Sequence, residues 1–165
     1  MRIGLTAAGV AVASGQVEID RASWRDINAM HRLQRAAFGP DAWSWLEVAL
    51  LLVLPRHRAY VARTATGTVG MAALEVQGNL RAGCVVIIAV AAEHRQQGIG
   101  TLLLDACERD SPFPKMRLTV NTENSVAQAI YTQRGYRVVR SLPRYYPSGA
   151  DGYVMEKVLP PRFDD

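Results

Sequence analysis

Cysteine, histidine and lysine are scarce in this chain of 165 residues, and each shortage excludes a class of protein. The two cysteines, Cys84 and Cys107, form no CxxC pair, and the three histidines have no ligand spacing with them. We therefore expect no metal site, no disulfide framework and a reducing, cytoplasmic location. The apolar run at residues 45–54 contains Glu47 and is too short to span a membrane.

The basic residues are numerous but dispersed. The formal net charge is +4, and 17 of the 19 basic residues are arginine, which we interpret as a compositional bias. No run of five like charges and no repeat of arginine with aromatic residues occurs, so we expect neither a nucleic-acid nor a membrane partner. With 49% apolar and 21% charged residues, the chain predicts one globular domain over 16–165 behind a flexible tail at 1–15.

The apolar periodicity predicts an order of elements: strand, two helices, three strands, helix, strand, helix, two strands. The first strand and helix are placed at 16–23 and 24–38, and the second helix at 42–54. The run CVVIIAV at 84–90 is typical of a central strand buried on both faces. Ser125 and Gln128 form the pattern of a capping box that opens the last helix, which ends at Arg134 before Gly135. The remaining strands are predicted at 58–64, 69–76, 115–121, 136–141 and 152–159. A further helix follows the glycine-containing loop at 94–100 and ends near Asp110.

The stretch HRQQGIG at 94–100 places two glycines between a buried strand and a helix. It lacks the third glycine and the downstream acid of a dinucleotide fingerprint, and no lysine follows Gly100 as a P-loop requires. Free amides at a helix N-terminus would form an anion site, and Arg95, Gln96 and Gln97 add donors. A tight turn that merely needs glycine explains the same residues, so this loop alone leaves both interpretations open.

Two motifs together resemble the GCN5-related N-acetyltransferases. HRQQGIG is similar to their R/Q-x-x-G-x-G/A motif, and Asn124, Ala127, Tyr131, Gly135 and Tyr136 match N-x-x-A-x-x-x-Y-x-x-x-G-Y about twenty-five residues later. The resemblance covers residues 17–159. It implies an α/β fold with a mixed, mostly antiparallel sheet of six to seven strands and four helices, and an enzyme that transfers acetyl from acetyl-CoA to an amine.

The resemblance also implies a donor site. Acetyl-CoA would lie where the strand ending at Val90 parts from the strand at 117–121. Its pyrophosphate would bind the loop, and its pantetheine arm would pair with the backbone of the first strand. Asn124 would contact this arm, and Tyr131 would protonate the leaving thiolate. The cofactor-binding residues are thus predicted to be Ile88, Ala89, Val90, Arg95, Gln96, Gln97, Gly98, Ile99, Gly100, Thr101, Asn124 and Tyr131, with Tyr131 also catalytic.

Further segments resemble the RimI-type protein N-terminal acetyltransferases, which modify an α-amino group such as that of ribosomal protein S18. Trp43 in AAFGPDAW and Tyr145 and Tyr146 in PRYYPSGADG would line a peptide slot. The family's general-base glutamate is replaced by Thr119, which cannot hold a proton at neutral pH.

Glu75, Asp41, Glu93 or a water held by the two tyrosines could act as the base, although an α-amine with a pKa of about 8 needs no strong one. The predicted substrate-binding residues are Trp43, Glu75, Thr119, Tyr145 and Tyr146. Transfer to a polyamine, amino acid or antibiotic, and a non-catalytic acyl-CoA-binding module, remain alternatives; the chain is expected to be a monomer or homodimer.

Overall fold

The computed structural model of the protein describes residues 10–12 and 15–161. Within them, eight strands form one sheet in the order β1-β2-β3-β4-β5-β6-β8-β7. Every neighbouring pair is antiparallel except β5 and β6, which are parallel. The strands are β1 Val10–Val12, β2 Gly15–Arg21, β3 His57–Thr64, β4 Gly67–Gln77, β5 Ala82–Val90, β6 Lys115–Asn121, β7 Arg137–Leu142 and β8 Gly152–Val158.

Four α-helices cover the two faces of the sheet: α1 Ile27–Phe38, α2 Trp45–Val53, α3 Ile99–Asp110 and α4 Ser125–Gln133. Met30, Val48 and Leu51 of α1 and α2 pack in one apolar cluster with Ile87 and Ala89 of β5. The other cluster brings side chains of α3 and α4 against the opposite face of the strands, where alternate residues of β5 and β6 point. We call these two sides the α1–α2 face and the α3–α4 face.

The predicted order of elements is confirmed from β2 to β8, as is the mixed, mostly antiparallel sheet. A further short strand, Val10–Val12, pairs with β2 and lies in the segment expected to be a tail. The rest of that tail, residues 1–9 and 13–14, lies outside the described residues. Of the helices in the described part of the chain, none combines the length and the apolar composition that a bilayer crossing requires.

Three helix starts differ from the prediction. Trp24–Asp26 forms a 3-10 turn, so helix α1 begins at Ile27 and not at Trp24. Helix α2 begins at Trp45, because Ser44 is its N-cap and exchanges hydrogen bonds with Glu47 in a capping box. Helix α4 is capped by Asn124, whose side-chain oxygen accepts from the N–H of Ala127 at 3.1 Å, so the predicted box of Ser125 and Gln128 is wrong. Gln128 instead donates to two carbonyls of the preceding turn. The start of α2 is thus three residues later than predicted, and the cap of α4 is one residue earlier, because Ser44 and Asn124 have side chains that accept from the free N–H groups.

Candidate functional site

Strands β5 and β6 pair over only part of their length. Ala82–Val85 lies beside Lys115–Leu118, and beyond these residues the two strands have no shared register. The register between β4 and β5 also shifts at this level, because Leu74 pairs with Val85 while Ala73 pairs with Ile87. Val86 is therefore the extra residue of a β-bulge, which bends a strand and increases its twist. The bulge lies where β5 leaves β6, so it explains the split in the sheet.

A cleft of about 970 Å³ occupies this split. Residues from both faces of the sheet line it, with Ala127 and Tyr131 on the α3–α4 side and Phe38 and Trp43 on the α1–α2 side. The gap therefore passes between the strands and gives a molecule bound on one face access to a molecule bound on the other. Its further lining residues are Ala37, Asp41, Ala42, Glu47, Cys84–Ile88, Leu118–Asn121, Glu123, Asn124 and Tyr145–Pro147.

The glycine loop follows directly from β5 and ends at the first turn of α3. Gly98 is the N-cap at φ +83°, in the left-handed region that favours glycine, and a Cβ there would meet no atom within 4 Å. Gly100 lies in the helix with no unusual φ, and a Cβ there would have ordinary contact with Val90 at 3.8 Å. Neither packing nor backbone conformation requires glycine at position 100. The space beside it is thus open to a ligand.

The amide groups of this turn are available as donors. The first helical hydrogen bond of α3 runs from the N–H of Leu102 to the carbonyl of Gly98 at 3.0 Å, so the N–H groups of Ile99, Gly100 and Thr101 precede it. Together with the helix dipole they suit a phosphate. The predicted loop residue Arg95 donates from Nε to the carbonyl of Val90 at 3.0 Å, which fastens the loop to the end of β5.

Tyr131 reaches the cleft from α4. Its ring packs edge-on against Tyr136, with 6.0 Å between centroids, and burial raises the pKa of its phenol to about 12. The hydroxyl is therefore protonated at neutral pH and can donate a proton. Tyr136 is itself fixed by a hydrogen bond from its hydroxyl to Glu108 at 2.9 Å, and Glu108 accepts from Lys157 at 3.0 Å. This buried network holds the ring against which Tyr131 packs.

Trp43 is positioned by Gln34, a residue that was not predicted from the sequence to belong to the site. Gln34 of α1 is fully buried, its amide nitrogen donates to the carbonyl of Trp43 at 2.7 Å, and its oxygen accepts from the N–H of Trp43 at 2.7 Å. A buried amide with both functions satisfied fixes the backbone it binds. The α1–α2 loop is thereby held over the cleft.

The opposite wall is the loop between β7 and β8. Tyr145 and Tyr146 stack edge-to-face with their centroids 5.0 Å apart, and both line the cleft. Asp41 of the α1–α2 loop accepts from the N–H of Ser148 at 2.7 Å and from its hydroxyl at 2.9 Å. The two loops are therefore joined directly, and we call this contact the Asp41–Ser148 clasp. The Tyr146 hydroxyl also makes a long contact of 3.4 Å with the carbonyl of Thr119.

Four of the five predicted substrate-binding residues line this cleft. Thr119, Trp43, Tyr145 and Tyr146 line it. Glu75 is not among the lining residues; its carboxylate forms an ion pair with Arg56 at 2.9 Å and lies 3.8 Å from Nε2 of His57.

The other acids proposed as bases are also placed by the structure. Asp41 is engaged in the clasp, and Glu93 belongs to the turn before the glycine loop. Glu47, Glu123 and Cys84 also line the cleft and were not predicted from the sequence. The pattern of Ser44 followed three residues later by Glu47 would have placed Glu47 at a helix start, although not in a cleft.

Comparison with known proteins supports the resemblance of the motifs. The acetyltransferase (GNAT) domain family matches residues 45–138. An uncharacterized N-acetyltransferase of Methanocaldococcus jannaschii is 31% identical over 147 residues, which cover 86% of this chain and 92% of that protein. An N-alpha-acetyltransferase of Saccharolobus solfataricus is 37% identical over 84 residues, which cover 48% of this chain and only 50% of that relative.

The fold is also found among solved structures. The ribosomal-protein-S18-alanine N-acetyltransferase from Escherichia coli superposes with a TM-score of 0.76 over 90% of this chain and 97% of its own, at 22% sequence identity. The two motifs, the split sheet and the matched domain all point to the same family. The chain therefore belongs to the acetyltransferase (GNAT) family.

Proposed function

We propose that this protein transfers the acetyl group of acetyl-CoA to the α-amino group of a polypeptide. The observation that carries the proposal is the cleft through the split sheet. It joins Tyr131 on one face to the wall of Trp43, Tyr145 and Tyr146 on the other. Two reactants that enter from opposite faces would meet there. The relative named as an N-alpha-acetyltransferase supports the same reaction.

The donor side fits acetyl-CoA. The open space at Gly98 and Gly100 and the free first-turn amides of α3 would hold the pyrophosphate. Residues 86–90 of β5, which have lost β6 as a neighbour, would pair with the pantetheine arm as an added strand does. Asn124 already caps α4, and its amide nitrogen is left for a second contact with this arm. Bound there, acetyl-CoA would supply an activated thioester.

Tyr131 is the proposed acid. The acceptor nitrogen forms a bond to the acetyl carbon while the bond from that carbon to sulfur breaks, and Tyr131 gives its proton to the departing sulfur. A phenol with a pKa of about 12 remains protonated until it is needed, and a positioned acid contributes on the order of a hundredfold or more. Solvent then returns the proton to Tyr131.

The acceptor amine must lose a proton, and Thr119 cannot take it. An α-amine with a pKa of about 8 is partly neutral at physiological pH, so water in the cleft suffices to carry its second proton away after attack. A lysine side chain, with a pKa of about 10.4, would be far less reactive in the same site. The absence of a strong base at position 119 thus favours an α-amine as acceptor.

A second candidate acceptor is a small polycation such as a polyamine. The charged residues that line the cleft within the described chain are Asp41, Glu47 and Glu123, all acidic. An acidic lining attracts ammonium groups, whereas the paired tyrosines and Trp43 suit a peptide backbone. The two acceptor classes are distinguished by experiment.

The test is thiol release from acetyl-CoA with three acceptor panels: peptides with free N-termini, polyamines and amino acids. We expect release with free peptides, none with the same peptides blocked at the N-terminus, and far less with the other panels. Release with polyamines alone would establish the second candidate. No acceptor-dependent release with any panel would refute both and favour a non-catalytic acyl-CoA-binding module.

A further inference from the structure

One part of the sheet is left without a helical cover. On the α1–α2 face, helices α1 and α2 pack on β3, β4 and β5. Beyond β5 the same face continues over β6, β8 and β7, where Val158 is 76% exposed. The cross-strand pairs assign four cations and one carboxylate to this surface, which we call the cationic sheet face: Lys115, Arg117, Arg137, Arg140 and Glu156.

The alternation of side chains supports this assignment. Met116, Leu118 and Val120 of β6 are buried in the α3–α4 cluster, so the residues between them point to the other face. Glu156 lies beside Arg117 on one side and Arg137 on the other, and Arg140 pairs with Val154, the partner of Thr119. All five charged groups therefore project from one surface.

The surface carries excess positive charge. Glu156 accepts from Arg117 at 2.8 Å and lies 3.5 Å from Lys115, so one carboxylate serves two cations. Arg137 and Arg140 are exposed on the last strand of the sheet. Four cations against one carboxylate leave a net charge of about +3 on three strands, which attracts anionic groups.

This surface is continuous with the acceptor cleft, whose charge is opposite. Thr119 in the cleft and Arg117 on the cationic sheet face are separated by one residue on the same side of β6. The cleft holds the carboxylates of Asp41, Glu47 and Glu123 and no basic lining residue among those described. A chain that enters the cleft with a cationic end and then follows the sheet would pass from an acidic to a basic environment.

We infer that the cationic sheet face binds an acidic stretch of the acceptor polypeptide, downstream of the amino group that enters the cleft. The inference rests on the proposed function. Arg137 lies two residues along the strand direction and two strand spacings across the sheet from Thr119, a distance of roughly 12 Å. An extended peptide spans this distance in about four residues. The acidic residues are therefore expected from about position 5 of the acceptor onward.

The test compares three peptides that share their first four residues and differ beyond them in an acidic, a neutral-amide or a basic stretch. Steady-state KM is measured for the wild type, for Arg137→Gln/Arg140→Gln, and for Arg32→Gln/Arg35→Gln as a matched control on the exposed side of α1. Each exposed ion pair contributes roughly two- to fivefold. We expect the wild type to have a KM about tenfold lower for the acidic peptide than for the neutral one.

The preference should fall to about twofold or less in the Arg137/Arg140 variant, persist in the control, and vanish in about 1 M salt, where the screening length is only ~3 Å. Turnover of all three peptides with equal KM would refute the inference while leaving the proposed function intact. Retention of the preference in the Arg137/Arg140 variant would also refute it. A further measurement compares two inhibitors of peptide turnover: a short RNA, and an acidic peptide whose N-terminus is blocked. Inhibition by the RNA at the same concentration as by the peptide would assign the surface to nucleic acid instead. No turnover of any peptide would refute the proposed function and this inference with it.

Discussion

The substitution Gly100→Ala separates stability from cofactor binding, because the two effects have opposite signs. A Cβ at this position has ordinary contact with Val90 at 3.8 Å and no strained φ, so the folded protein accepts it. Alanine favours a helix over glycine by about 0.5–1 kcal/mol. For a chain of this size, that gain raises Tm by roughly 1–4 °C in the absence of ligand.

The same methyl group would occupy the proposed pyrophosphate position. A phosphate displaced from the first-turn amides of α3 loses one or two charge-assisted hydrogen bonds, each contributing about 1.5–3 kcal/mol. We expect the Kd for acetyl-CoA to rise at least about tenfold, which corresponds to ~1.4 kcal/mol. Calorimetric titration gives this Kd, and thermal unfolding with and without acetyl-CoA gives the two Tm values.

Two other glycines serve as controls. Gly78 lies in the turn between β4 and β5 with open space around its Cβ position, so Gly78→Ala should leave the Kd unchanged. Gly98→Ala should lower Tm, because φ +83° costs a side chain roughly 1–2 kcal/mol. An unchanged Kd in Gly100→Ala, with Tm raised as expected, would show that the space at Gly100 is not the pyrophosphate site.

Three further outcomes are expected. Tyr131→Phe should lower kcat on the order of a hundredfold with little change in the KM for acetyl-CoA; an unchanged kcat would remove Tyr131 as the acid. In the wild type, deprotonation of Tyr131 should cause no loss of kcat below about pH 11, because a group with a pKa of about 12 stays protonated there. Asp41→Ala breaks both hydrogen bonds of the clasp and should raise the KM for the peptide several-fold in initial-rate measurements, without changing the KM for acetyl-CoA. An equal rise in both KM values would contradict a role confined to the acceptor. Tyr136→Phe removes the buried hydrogen bond to Glu108 and should lower the free energy of unfolding by about 1–2 kcal/mol in urea titrations. A stability equal to that of the wild type would show that the other partners of Glu108, among them Lys157 and Arg134, satisfy this carboxylate.

The elements that form the proposed donor side could be predicted because they are local in sequence. A buried strand, the loop at 94–100 and helix α3 follow one another, and each leaves its own pattern of apolar residues or glycines. Two motifs about twenty-five residues apart then identified the family. The family resemblance implied that β5 and β6 part, but the residue at which they do so could not be predicted, because the bulge at Val86 lies within an unbroken apolar run and changes no residue type.

The acceptor side depends on contacts between residues far apart in the chain. Asp41 and Ser148 are 107 positions apart, and nothing in the sequence of either loop indicates the other. Glu75 was predicted to bind substrate and is not among the residues that line the cleft, although its strand neighbour Cys84 is. Its carboxylate forms an ion pair with Arg56, a contact that the sequence does not indicate. Gln34 gave no signal because one polar residue in a helix usually faces solvent, whereas here it is buried to hold Trp43.

Different contacts hold the two sides of the proposed site. The acceptor walls are fixed by Gln34, which holds Trp43, and by the Asp41–Ser148 clasp, neither of which touches the glycine loop or α4. The proposed acetyl-CoA site depends instead on the turn into α3 and on the cap of α4. Because the two sets of contacts share no residue, their energetic effects should be nearly additive. We therefore expect substitutions in the two loops to change the acceptor preference without changing the Kd for acetyl-CoA. A variant that combines Asp41→Ala with Gly100→Ala should show the raised peptide KM of the first and the raised acetyl-CoA Kd of the second, each unchanged by the other.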